Sequence, residues 1–306
     1  MNKTTELDGR RIGIYLALAF GLAYGTGAIV RLTGGLADSP QIDPVTGLTL
    51  AVVLIAGPYM WSPAIATVAT RLLTGEGLRN AGLGINLRQA WPYLLATWLL
   101  PPLLIALGTV VYFVLFPATF DPSMSVLREQ VAMISEQSGV AMSASGLFAI
   151  SLVQAVFLAP LLNSFFTFGE ELGWRAYLQP KLMPLGPWPA MLLMGLIWGA
   201  WHWPIIAMGH NYGLDYSGAP WGGLAAMVLF TFSVGVLLGW ASFKTGSVWP
   251  AVLGHAVLNG FAALAVTFVD GAAATPLGPT PLLGPLPVGA IGGVGFRMVA
   301  LLLLAL

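Results

Sequence analysis

The 306-residue chain contains no cysteine. Disulfides, thiolate metal sites and a cysteine nucleophile are thereby excluded. Charge is scarce too: 12 Lys and Arg stand against 12 Asp and Glu, together 8% of the residues. A soluble domain carries about 25%. Net charge is zero and no basic cluster occurs, so nucleic acid is not an expected partner. Histidine is limited to three positions. Internal repeats and low-complexity tracts are absent.

What fills the chain is apolar: 57% of its residues are hydrophobic. A bilayer core of about 30 Å needs about 20 such residues per helix. Eight apolar segments can be read, at 12–32, 50–73, 91–116, 145–168, 188–207, 221–243, 248–268 and 288–306. The predicted fold class is therefore all-α, a polytopic bundle of about eight transmembrane helices. Residues 1–306 are read as one integral membrane domain with lipid as its surroundings. The run after the polar MNKTTELDGRR start reads as a retained span, not a cleaved signal peptide. The polar stretch 117–145 reads as a solvated loop in preference to a surface amphipathic helix. The Pro- and Gly-rich stretch 271–287 reads as another loop.

Basic residues orient this layout, because cytoplasmic loops are enriched in Lys and Arg. With the N-terminus cytoplasmic, Lys3, Arg10, Arg11, Arg71, Arg79, Arg88, Arg175, Lys181 and Lys244 fall inside. Arg31 and Arg128 fall outside, and Arg297 lies in the last segment. In this layout Arg175 and Lys181 belong to a cytoplasmic loop after the fourth span.

Ionisable groups within apolar segments are costly and usually functional. Glu170 and Glu171 close the fourth segment in GEELGWRAYLQP; His202 lies in IWGAWHWP and His255 in WPAVLGHAVLN. Spacing groups them further. Glu171 and Arg175 are four apart, in the order that favours an ion pair on one helix face. His255 with Asn259, and Trp198 with His202, repeat that spacing. Each has a plain structural reading when taken alone. Glu171 with Arg175 is a structural ion pair, Asn259 or a lone His is interhelical glue, and the tryptophans are packing or interfacial anchors. His210, next to Asn211, reads as solvated.

Together these residues form a pattern. The chain resembles the CAAX protease and bacteriocin-processing family of intramembrane proteases, which includes the type II CAAX prenyl endopeptidases. Glu170, Glu171 and Arg175 match its Glu-Glu-x-x-x-Arg motif. His202 matches Phe-x-x-x-His, with Trp198 in the aromatic place, and His255 with Asn259 matches His-x-x-x-Asn/Asp. The likeness covers about 145–268, the family-like catalytic core.

The resemblance implies an intramembrane endopeptidase acting on membrane-associated peptides or proteins, prenylated CAAX peptides being one class. It assigns water activation to Glu170 and His202, oxyanion stabilisation to His255 and Asn259, and orientation of the site to Glu171 and Arg175. Zinc is the one cofactor the residues allow, with Glu170, His202 and His255 as ligands. The family often carries the word metalloprotease, yet a glutamate-dependent, metal-free mechanism uses the same residues and is preferred here. The compact chain points to the inner membrane of a prokaryote. Two other classes remain: a non-enzymatic bacteriocin immunity or membrane-binding protein, and a transporter with a Glu/His proton relay. The sequence says nothing of oligomeric state, natural substrate or cleavage position.

Overall fold

In a computed structural model, residues 6–43, 45–270 and 280–305 are described. Lys3, Leu306 and residues 271–279 of the expected loop lie outside the described residues. The described chain is an all-α bundle whose one sheet is a short antiparallel pair, β1 (Gln41–Asp43) with β2 (Leu48–Thr49).

Six helices are long and apolar enough to cross a membrane. They are α1 (Gly9–Leu32), α2 (Leu50–Leu73), α3 (Leu87–Leu115), α5 (Ala144–Leu185), α8 (Trp221–Thr245) and α9, whose apolar run is Trp249–Phe268. The other two expected spans are shorter. The fifth is α6 (Pro187–Trp201) followed by α7 (Trp203–Ile206), and the eighth is α10 (Val294–Ala305).

Two expectations need correction. The polar stretch read as a loop contains a helix, α4 (Ser125–Ser138). Asp121 organises its start: the Ser125 N–H donates to Oδ2 at 2.6 Å and the Ser123 N–H to Oδ1 at 2.8 Å. Hydrogen bonds from Ser123 and Ser125 hold the Asp121 carboxyl well below the usual carboxylate range. The second correction concerns Arg175 and Lys181, expected in a loop. Both lie on α5, which continues 17 residues past the expected end at 168. The helix persists because its polar residues find partners inside the bundle: Arg175 pairs with Glu171, Gln179 donates to the Gly239 carbonyl and Lys181 reaches Glu76. Two π-helical turns, Gln154–Leu158 and Trp174–Leu178, interrupt α5, and the second carries Arg175.

The break between α6 and α7 has a local cause. Pro204 has no N–H to give the Ala200 carbonyl one turn back. Tyr24 of α1 donates its hydroxyl to that carbonyl instead, at 2.8 Å. Tyr59 of α2 donates to the next one, Trp201 O, at 2.5 Å, and the Trp201 indole N–H reaches Ser62 Oγ at 3.0 Å. The orphaned end of α6 is thus satisfied by its neighbours, and His202 is fixed at the break.

Close helix packing does the rest. α6 lies against α8, α5 between α2 and α9, and α3 against α9. A Cβ on Gly195 would stand 2.6 Å from Phe232 Cα, and one on Gly199 2.7 Å from Val228 Cα. Only glycine allows the α6 and α8 backbones this approach. Trp174, Trp198, Trp201, Tyr15 and Tyr59 are fully buried around the same centre.

Candidate active site

Glu170, Glu171 and Arg175 come from α5, Trp198 and His202 from the end of α6, and His255 from α9. Their contacts join segments that are 28 to 84 residues apart in the chain. Glu170 and Glu171 are 2% and 0% exposed, Arg175 3% and His255 5%. Charged groups this deep require partners.

Glu171 is the hub of one half. Its Oε1 accepts Arg175 Nη1–H at 3.0 Å and the His255 Nδ1–H at 2.8 Å. Its Oε2 is sealed and takes no bond from a described residue; the same holds for Arg175 Nε and Nη2. The guanidinium instead lies over the Trp198 ring, 4.0 Å from its centroid. A buried cation on an indole face gains about 2 kcal/mol or more.

Glu170 anchors the other half. Its Oε2 accepts the Trp198 indole N–H at 2.9 Å. Its Oε1 takes no hydrogen bond from a described residue. His202 donates Nδ1–H to the Trp198 carbonyl at 2.8 Å, because a carbonyl can only accept. In the neutral ring the lone pair therefore sits on Nε2. His202 is half-buried, wedged edge-on against Trp201 with ring centroids 4.7 Å apart.

The structure brings together Glu170, Glu171, Arg175, His202 and His255 as the sequence pattern suggests, with Trp198 among them. Asn259 lies one turn beyond His255 on α9, exposed, and makes no side-chain hydrogen bond among the described residues. His210 is exposed. Three features were not singled out from sequence. The first is the Glu171–His255 contact and the second the indole donor of Trp198. The third is Glu76, which gathers Lys181 at 3.0 Å, Arg11 at 3.6 Å and Arg71 at 3.8 Å. No spacing rule reaches across such separations.

Zinc would need about three protein donors at about 2 Å from one point. The tautomers suit a metal, since each His is held at Nδ1 by an oxygen and presents Nε2. The grouping does not. Among the described residues no three His, Asp or Glu side chains gather closely enough to hold one ion. Glu170, His202 and His255 as arranged here do not fit a zinc site.

Comparison with known proteins bears out the resemblance. Residues 141–261 match the family described as type II CAAX prenyl endopeptidase Rce1-like. A relative, CAAX prenyl protease 2 of Methanococcus maripaludis, is 30% identical over 115 residues. That alignment covers 37% of this chain and 41% of the relative's own length. Glu170, Glu171, Arg175, Trp198, His202, His255 and Asn259 all fall inside the family match.

Proposed function

We propose that this chain is an intramembrane endopeptidase that hydrolyses membrane-associated peptides or proteins, with its catalytic core at residues 145–268. The observation that carries this reading is that one carboxylate, Glu170, and two imidazoles, His202 and His255, all contact the single residue Trp198. They meet at the buried junction of α5, α6 and α9. Stranding such groups in a membrane serves no packing purpose.

Hydrolysis requires an activated water and a hold on the developing oxyanion. Glu170 Oε1 accepts a proton from water, whose oxygen attacks the scissile carbonyl carbon. The proton then goes to the leaving amine as the carbon–nitrogen bond breaks. His202, presenting Nε2 as acceptor, holds the second hydrogen of that water. On the opposite side His255, doubly protonated as the imidazolium, donates Nε2–H and Asn259 its amide N–H to the oxyanion, the two residues lying one turn apart on α9. Asn259 is suited to this because no described residue occupies its amide. His255 donates Nδ1–H to Glu171, and that carboxylate stabilises positive charge on the ring while it hydrogen-bonds the oxyanion. Glu171 and Arg175 hold this geometry without touching substrate. The reading is metal-free. Prenylated CAAX peptides are the first substrate class to try, following the family match and the relative's name.

Purified protein incubated with a farnesylated CAAX peptide, and separately with membrane proteomes, should give defined cleavage products by mass spectrometry. Glu170→Ala and His202→Ala should lose cleavage by about 10²–10⁴-fold while remaining folded in detergent. Wild-type cleavage by Glu170→Ala would overturn the assignment.

A further inference from the structure

Trp198 touches four of the five charged or titratable groups of the centre, all but Glu171. Its indole N–H meets Glu170 and its carbonyl meets His202. Its ring face carries the Arg175 guanidinium. The His255 ring meets it edge-on, with centroids 5.4 Å apart at 78°. A phenylalanine, the residue of the family pattern at this place, would keep the ring contacts and the carbonyl. It would lack the N–H.

That N–H decides something packing does not. The terminal torsion of a glutamate is broad and roughly two-fold. A buried carboxylate is therefore aimed by its hydrogen bonds, and Trp198 gives Glu170 the one such bond made by a described residue. We propose that Trp198 is a positioning residue: its indole N–H locks Oε2 of Glu170 and so aims Oε1 at the reacting water. Its carbonyl, in the same residue, holds His202 in the tautomer with Nε2 free. One side chain and its own backbone thus register the two water-handling groups against each other. The inference rests on the endopeptidase reading, and its test separates the two.

Trp198→Phe and Trp198→Tyr retain an aromatic ring and remove the indole. With the farnesylated peptide, kcat should fall about ten- to a hundredfold, the worth of one hydrogen bond to a charged group. KM should stay within about twofold, as expected for an interaction realised in the transition state. A purely structural role predicts the reverse: a lower melting temperature with unchanged kcat per folded molecule. That result would overturn the proposal. Indole ¹⁵N–¹H spectra give a second measurement that needs no substrate. The cross-peak removed by whichever Trp198 variant folds is that of Trp198, and it should move upfield in proton shift in Glu170→Ala. A cross-peak that stays in place overturns the lock. A wild type that cleaves nothing sinks the endopeptidase reading, and the spectra then decide the lock alone.

Discussion

Glu171 shows at the scale of one residue why the centre tolerates so much buried polarity. A single oxygen serves a cation and an imidazole at once, so three groups are held by two hydrogen bonds. Removing one member of a sealed ion pair typically costs about 3–5 kcal/mol, because the other charge is left behind. The two truncations are not equivalent here. Glu171→Ala leaves Arg175 on the Trp198 face without its one hydrogen-bonded carboxylate. Arg175→Ala leaves Glu171 still hydrogen-bonded to His255. Detergent melting should therefore fall in both variants and further in Glu171→Ala; two unchanged melting temperatures would refute the ion-pair role. The ionisable residues of this cluster were legible in the sequence because charge is so rare there. Trp198 as a donor was not, since an indole in an apolar helix reads as packing. Nor was the Glu171–His255 contact, which only the tertiary fold creates.

At the scale of the helix, the site depends on how closely α6 approaches α8. Gly195 and Gly199 are four residues apart and face α8. The Thr231 hydroxyl bridges the seam by donating to the Gly195 carbonyl at 2.8 Å. Adding a methyl at Gly195 forces it onto the Phe232 backbone, which has no rotamer with which to give way. Gly195→Ala should cost about 1–3 kcal/mol by overpacking, read as a lower melting temperature. It should also lower cleavage, because α6 carries Trp198 and His202. A variant with wild-type stability and rate would show that the seam is looser than its geometry indicates. Most helix positions were readable from apolar runs alone. The run ending at Phe168 misled, however: α5 keeps its helix through this stretch because Glu171 and Arg175 pair with each other and Glu170 accepts the Trp198 N–H from α6. Hydropathy averages cannot register such mutual satisfaction. The same limit applies to α4, whose start is set by Asp121 and not by any apolar stripe.

Across the whole molecule, contacts between chain connections establish which ends lie together. Arg11, Glu76 and Lys181 share one face. On that face the Gln89 amide donates to the Lys244 carbonyl at 3.3 Å and the Val248 N–H to the Gly82 carbonyl at 2.9 Å. At the opposite face Phe120 pairs with Val269, and Tyr212 donates to the Val288 carbonyl at 3.0 Å. The up-and-down order read from the apolar segments agrees with these contacts. The excess of Lys and Arg on the first face predicts that this face is cytoplasmic. Reporter fusions after Arg88 and after Lys181 should therefore give the same cytoplasmic signal, and opposite signals would overturn the orientation. The two ionic clusters differ in one further respect. The Glu76 cluster is partly exposed, its side chains between 7% and 33% accessible, whereas Glu171 and Arg175 are both at 0%. Mobile ions weaken attractions between charges they can surround, over a distance of about 8–10 Å at physiological strength. Salt at the membrane surface therefore loosens the tether between α1, α2 and α5. The pair at the centre remains unscreened, its field set by the chain alone.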